Sequence, residues 1–339
     1  MSTLKVDGIR HNSASSDAIT THSDGTASAK LIDVGGGPLS HRNYFINGNT
    51  IIWQRGTSNP NISNYGCDRW WFANGATRVD RSTTVPDGFP YSMKVTSNGN
   101  TTSIGQPIEL IATGRSQFEP NASYTLSFYA RTDSGTNSIS ATVYYRNTKF
   151  SGTNQVNWGP SVTQNMGTMT TTFQRFSKTF TAPSAANSNN QVLAIEFNNT
   201  ATYYITGMQF ERGDTMTAYE HRSTSEELAR CYRYFVKFAG GSDAYCFPAK
   251  GQGSSSCDVG VPLPTALRAS PSITVSNHRY FSGHSGGFSS SSNTPSVIHY
   301  ESNIHSPMIS LNAGGHSSSN NYTGTFTPQS SSFIIDAEL

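Results

Sequence analysis

Between residues 120 and 200 the chain alternates apolar and polar residues with a period of two, and that pattern admits few folds. Tyr124-Thr-Leu-Ser-Phe-Tyr-Ala130 places Tyr124, Leu126 and Phe128 on one face of an extended strand. Ile139, Ala141, Val143 and Tyr145 repeat the pattern, as do Phe176, Lys178 and Phe180, and Leu193, Ile195 and Phe197. Polar clusters such as Asp133-Ser-Gly-Thr-Asn137 and Ser184-Ala-Ala-Asn-Ser-Asn-Asn190 separate these runs. Their residue types favour turns through side-chain-to-backbone bonds and freedom at positive φ. Many short, half-buried strands of this kind predict two packed sheets. Asn47-Gly48, between Tyr44-Phe-Ile46 and Ile51-Ile-Trp53, adds a hairpin signal, because both central residues tolerate positive φ.

Composition narrows the class further. The chain has 339 residues, room for two or three modules. Only 13% are charged and the net charge is +2, too little for a field that would gather nucleic acid or an anionic membrane. Hydrophobic residues make up 35%, which suits thin β-modules completed by neighbouring subunits. No run approaches the ~20 apolar residues of a membrane span, so no membrane insertion is expected. The start, Met-Ser-Thr-Leu-Lys-Val-Asp7, has no apolar signal region, so folding in the cytoplasm of the producing cell is expected. Cys67, Cys231, Cys246 and Cys257 show no CxxC or metal-ligand spacing and are expected to be reduced and structural.

Four segments follow. Residues 1–40 are an irregular leader ending in Gly35-Gly-Gly-Pro38, with too few apolar groups for a core of its own. Residues 41–222 read as the sandwich. Residues 223–238 read as a linking helix: Ser223 caps it, Glu226 completes a capping box, and Glu226 and Glu227 sit where the helix dipole favours negative charge. Leu228, Cys231, Tyr232 and Phe235 follow at i, i+3, i+4 and i+7 as one apolar stripe. Residues 239–339 form a second β-module with candidate strands at Ala244–Phe247, Asp258–Val261, Ser272–Val275, Val297–Tyr300, Met308–Leu311 and Phe333–Ile335. Its loops 282–293 and 314–321 are rich in Gly and Ser.

Two bracketing segments carry a family resemblance. The first contains His41-Arg-Asn-Tyr-Phe-Ile-Asn-Gly48, Gln54-Arg-Gly56 and Asp68-Arg-Trp70. The second contains Gln209-Phe-Glu-Arg-Gly213, then Tyr219-Glu-His-Arg-Ser-Thr-Ser-Glu-Glu-Leu-Ala-Arg-Cys-Tyr-Arg-Tyr-Phe235. Together they resemble the opening and closing signatures of the jelly-roll domain in bacteriophage tail-fibre and related virion proteins. The leader, Ser2-Thr-Leu-Lys-Val-Asp7 through Thr20, and the ending Ile335-Asp-Ala-Glu-Leu339 resemble the same family. The resemblance implies an all-β chain: an extended N-terminal anchor, a jelly roll similar to carbohydrate-binding modules, a short linking helix and a C-terminal β tip. It implies a homotrimer anchored to other phage tail or capsid proteins through residues 1–40, placed on the virion and assembled in the host cytoplasm. Its expected ligand is host cell-surface polysaccharide. The competing readings are a purely structural virion component (head fibre, decoration or tail-nozzle protein) and a glycan-degrading tailspike.

Candidate binding residues follow from that reading. Sugar modules stack aromatic rings on pyranose faces, which singles out Trp158, Tyr144 and Tyr145 in the jelly roll. Exposed loops on a rigid scaffold carry recognition, which singles out His284, Phe288 and His316 at the tip. Catalysis is not expected. Glycoside hydrolysis needs two carboxylates, and residues 240–330 hold only Asp243, Asp258 and Glu301. No cofactor is implied, and the histidines form neither HxH nor HExxH, so no metal site within one chain is expected. Asp68 and Arg69, beside Trp70 and Trp71, read as a structural pair at the end of the sandwich.

Overall fold

A computed structural model of the chain describes residues 7–9, 19–21, 23, 27–29, 41–60, 65–73, 76–110, 117–146, 156–158, 163–184, 192–239, 247–252, 256–274, 278–282, 288–291, 296–300, 308–314, 323–328 and 332–338. With strands numbered along the chain, a small leading sheet joins β1 (Gly8–Ile9), β2 (Ile19–Thr21) and β3 (Ala27–Ala29). Two six-stranded antiparallel sheets then make a jelly-roll sandwich. The first runs β11 (Val156–Asn157), β10 (Asn137–Arg146), β14 (Val192–Asn199), β8 (Thr102–Glu109), β5 (Trp71–Ala73), with β12 (Gln164–Met169) also on β10. The second runs β13 (Gln174–Thr181), β9 (Ser123–Thr132), β15 (Tyr203–Arg212), β7 (Ser92–Ser97), β6 (Ala76–Ser82), β4 (Ser58–Pro60).

The period-two runs do what their pattern dictates. Tyr124, Leu126 and Phe128 of the second sheet meet Ile139, Ala141, Val143, Leu193, Ile195 and Phe197 of the first in one core. Each of these side chains is almost wholly removed from water, worth roughly 1.5–3 kcal/mol for a large apolar side chain. The expected all-β class is observed, with one helix among the described residues.

The helix α1 spans Thr224–Tyr232, capped as expected by Ser223, whose hydroxyl accepts from Glu226 N at 3.2 Å. It is shorter than the sequence suggested. Arg233 ends it, and Phe235 opens β16 (Phe235–Ala239) instead of closing an apolar stripe. The alternating, β-branched and aromatic run Phe235-Val-Lys-Phe-Ala239 fits a strand, and β25 (Ser332–Asp336) supplies its partner through Phe235↔Asp336 and Phe238↔Phe333. Cys231 is buried, Leu228 and Tyr232 are half-buried, and the helix also buries Glu227, one of the two acidic residues of its first turn.

β19 (Ser272–Thr274) completes the sheet of β16 and β25. A seven-stranded sheet follows in the order β21 (Phe288–Ser291), β20 (His278–Ser282), β24 (Thr323–Pro328), β17 (Phe247–Gln252), β18 (Ser256–Pro262), β23 (Met308–Gly314), β22 (Ser296–Tyr300). Phe247, Val259, Val261, Phe326, Phe333 and Ile335 form its separate core.

Asn47-Gly48 is not a hairpin turn, although Asn47 does sit at φ 58. Segments 44–46 and 51–53 form no strands. Instead the Asn47 side chain holds a compact loop: Nδ2 donates to Ile52 O (2.9 Å) and Asp68 O (3.0 Å), while Ile52 N donates to Oδ1 (3.0 Å). Gly48 is needed for close approach, because a Cβ there would lie 2.2 Å from Met208 O. The local turn chemistry was legible, but what competes with a hairpin is a set of long-range polar partners.

Those partners join the two ends of the sandwich. Arg222, with its side chain 3% exposed, donates to Phe45 O (2.9 Å), Asn43 O (2.5 Å) and Glu227 Oε1 (3.2 Å). Glu227 Oε2 accepts from Asn47 N at 2.6 Å. The chain of bonds continues from Asn43 N to Glu220 (2.9 Å), from Glu220 N to Gln209 (2.8 Å), and from Gln209 to Glu211 (2.8 Å). Nearly every polar residue of the two signatures is therefore a structural bond. Removing one partner of a buried pair leaves the other charge uncompensated, at a cost of roughly 3–5 kcal/mol. Arg222→Met is expected to lose about that much in urea denaturation, and Arg222→Met/Glu227→Gln to recover part of it. Unchanged stability in the single variant overturns this role.

Candidate functional site

Strand alternation gives the first sheet an inner face of core residues and an outer face of a different chemistry. On β10 the even residues Ser140, Thr142, Tyr144 and Arg146 point away from the core, and on β14 Glu196 and Asn198 do so. With Thr101 and Thr163 these residues line a depression of about 370 Å³. Its wall carries five hydroxyls, one amide, one carboxylate and one guanidinium. Hydroxyls and amides both donate and accept, so such a wall matches a ligand with many hydroxyls.

The two charges form a local pair. Tyr144 donates its phenol to Glu196 Oε1, and Arg146 Nη1 lies 3.6 Å from the same oxygen. Burial pushes the Glu196 carboxyl up to about 7 from its ordinary 4.5. Burial also lowers the proton affinity of Arg146, so the pair sits in a poorly solvated place.

Register extends this face toward an aromatic ring. Thr142 pairs with Glu196, Glu196 with Gly105, and Gly105 with Trp71, so these four residues form one row on the outer face. Gly105 contributes no side chain, and two strand spacings put Trp71 roughly 10 Å from Glu196. Trp71 is half-buried. Its neighbour Trp70 faces inward, fully buried, with Nε1 bonded to Asn47 O at 2.9 Å. Trp71 opens β5, whereas Trp70 lies in the turn before it.

The residues singled out in advance lie elsewhere or are inaccessible. Trp158 and Tyr145 are each 1% exposed and pack in the sandwich core, Trp158 against Phe118 (5.3 Å between ring centroids), Tyr124 (5.3 Å) and Tyr145 (5.2 Å). Neither can stack on a sugar without unpacking the core. Tyr144 is also 1% exposed; it borders the depression through its bond to Glu196 and offers no open ring face. Phe288 belongs to β21, paired with Phe281, so the presumed loop 282–293 contains a strand. His284 and His316 lie outside the described residues. Asp68 and Arg69 are buried structural groups, but each finds other partners instead of forming the expected pair. Asp68 accepts from Gln54 Nε2 (2.6 Å), Arg55 Nη1 stands 3.6 Å away, and Arg69 pairs with Glu338. Burial lifts the Asp68 carboxyl to about 6, against the pull of Arg55. Among the described residues no cluster of three or more His, Cys, Asp or Glu is placed to hold a metal, and no helix is long and apolar enough to cross a membrane.

Raised carboxyls have a pH signature. Folded Glu196 binds its proton more tightly than the unfolded chain does. Its stabilising contribution is therefore complete below about 4.5 and is lost as pH rises through about 7. Unfolding free energy should fall between those values by up to about 1.4 kcal/mol per pH unit from this group. Glu196→Gln should flatten that part of the profile in denaturation series at several pH values; an unaltered slope overturns the burial of the carboxyl.

Comparison with known proteins agrees with the chemistry of the face. Residues 55–202 match a family model described as a carbohydrate binding domain. Similar solved structures include a CBM4 module (20% identity, TM-score 0.33, covering 49% of this chain and 97% of that one). Others are a xylan-binding domain from CBM 22 (14%, TM-score 0.35, 52% and 99%) and a sugar-binding protein from Bacteroides thetaiotaomicron (12%, TM-score 0.36, 50% and 100%). No curated protein matches the chain, and none of these matches points to a phage fibre. The matched residues contain every strand of the first sheet and all of the second except β15. The likeness to a carbohydrate binding domain thus covers residues 55–202, less than half of the chain.

Proposed function

We propose that the chain is a non-catalytic glycan-binding component of a bacteriophage fibre or spike, attaching the virion to host cell-surface polysaccharide through the outer face of the first sheet. The hydroxyl-lined depression carries this reading, because it lies within the residues that match a carbohydrate binding domain. Its five hydroxyls and one amide suit a many-hydroxyl sugar. Glu196 is the single carboxylate among the residues lining it, whereas glycoside hydrolysis takes a pair. The virion assignment rests on the two sequence signatures and on the leader, with residues 1–40 as the anchor to tail or capsid and three copies of the chain in the assembly.

Three copies on one fibre multiply weak single contacts through effective concentration, by ~10²–10⁴ where geometry permits. Thr142→Val and Asn198→Ala remove polar groups from the face while leaving the core side untouched. Each is expected to weaken retention on immobilised host polysaccharide by roughly tenfold, about one lost hydrogen bond, and to cost stability by no more than about 1–3 kcal/mol, since Thr142 also meets Thr163 and Asn198 also accepts from Ser103. Full retention in the double variant removes the face as the site. Retention without any effect on phage adsorption favours a structural virion part instead.

A further inference from the structure

A second depression, of about 380 Å³, opens where the start of the sandwich meets the end of the chain. Its lining takes Tyr65 from the segment ahead of β5, and Arg268, Ser270, Ser272 and Asp336 from the second module. None of these residues lines the hydroxyl-rich depression of the first sheet. Its volume falls within the ~300–1,000 Å³ of small-ligand sites.

Backbone bonds gather its polar groups around the end of β25. Arg268 donates Nε to Ala337 O (3.1 Å) and Nη2 to Glu338 O (3.4 Å), which fixes one edge of the guanidinium. Half-buried Arg268 keeps the opposite edge open: Nη1 bonds to none of the described residues and is not closed off from solvent. Ser272 pairs in register with Asp336, and its hydroxyl donates to Asp336 O at 3.4 Å. The Asp336 carboxylate accepts from Glu338 N (2.9 Å) and Arg55 Nη2 (3.3 Å), yet its side chain remains 34% exposed. Ser270 and Ser272 are both exposed.

A guanidinium only donates and a carboxylate only accepts, whereas a hydroxyl does both. Arg268 and Asp336 therefore ask opposite things of one ligand. A carboxylate accepts from Arg268 but brings no proton for Asp336. An ammonium donates to Asp336 but is repelled by Arg268. Adjacent hydroxyls answer both, through charge-assisted bonds roughly twice as strong as neutral ones.

We infer that this depression is a second sugar subsite, taking a neutral pyranose whose adjacent hydroxyls accept from Arg268 Nη1 and donate to Asp336. Ser270 and Ser272 offer further donors and acceptors at its edge. The choice of a sugar over other polyols rests on the glycan reading. Of the lining only Tyr65 falls within the residues that match a carbohydrate binding domain, so the second module contributes its own recognition.

Saturation-transfer NMR on the full chain tests this, with glucose, galactose and mannose as probes and glucuronate as the anionic control. In Thr142→Val/Asn198→Ala the first-sheet depression is disabled, so the remaining saturation reports the second one. At least one neutral sugar is expected to keep its signal there, several times stronger than that of glucuronate. Adding Arg268→Met is expected to reduce that signal roughly tenfold. Ser270→Val/Ser272→Val, which keeps both backbone bonds of Arg268, is expected to reduce it as well and serves should Arg268→Met unfold. Melting curves establish that each variant is folded. No saturation of any neutral sugar in the Thr142→Val/Asn198→Ala background, equal saturation of glucuronate, or a signal that survives both sets of changes overturns the second subsite. Polysaccharide retention lost in Thr142→Val/Asn198→Ala while saturation persists, or the reverse, tells failure of one subsite from failure of the other.

Discussion

The Arg222–Glu227 pair is buried between the first residues of the sandwich and the helix that follows it, and most of the fold's long-range order is referred to it. Both side chains are at most 3% exposed, so neither charge is stabilised by water. Their stabilisation comes from each other and from the backbone of Asn43, Phe45 and Asn47. Such a pair contributes less net stability than its Coulomb energy suggests, because desolvation offsets most of it. What it confers is position. The opening segment can satisfy these groups in one place only, so it lies across the sandwich rather than forming a hairpin of its own.

A second polar group connects the sandwich to the C-terminal module. Arg69 and Arg55 of the opening segment reach Glu338 and Asp336 at the far end of the chain. Arg55 also lies 3.6 Å over the Phe235 ring, and Arg69 over Tyr234. Arg69 accepts a left-handed backbone conformation, φ 70, which costs of order 1–3 kcal/mol for a residue other than glycine. The surrounding ion pair, carbonyl bond and ring over-determine it. The two cores are thus joined through charged and aromatic groups, with the chain's last residues as part of the sandwich's end wall.

Function follows from the same alternation that builds the core. A strand that buries Ile139, Ala141 and Val143 must present Ser140, Thr142 and Tyr144 to the other side. Those polar side chains therefore lie outside the sandwich core, at no cost to its packing. Trp70 and Trp71 show the division within one dipeptide: one ring completes the core, the other stands in the row of Gly105 and Glu196.

From the residues alone came the two-sheet class, the inward faces of β9, β10 and β14, the capped start of the helix and most strands of the second module. Each depends on periodicity or on capping partners within a few positions. Where the helix ends was not legible, because Phe235 fits both a stripe at i+7 and a strand, and the partner that decides, β25, lies about a hundred residues away. Nor were the binding residues. Trp158 and Tyr145 are good sugar platforms by type, yet type does not say which way a ring points once a sheet closes on it. The depression's lining comes from strands and loops spread over residues 101 to 198. Local patterning determined which residues must be buried; only tertiary pairing decided which polar groups would meet, because hydrogen bonds and ion pairs need partners that sequence neighbours cannot supply.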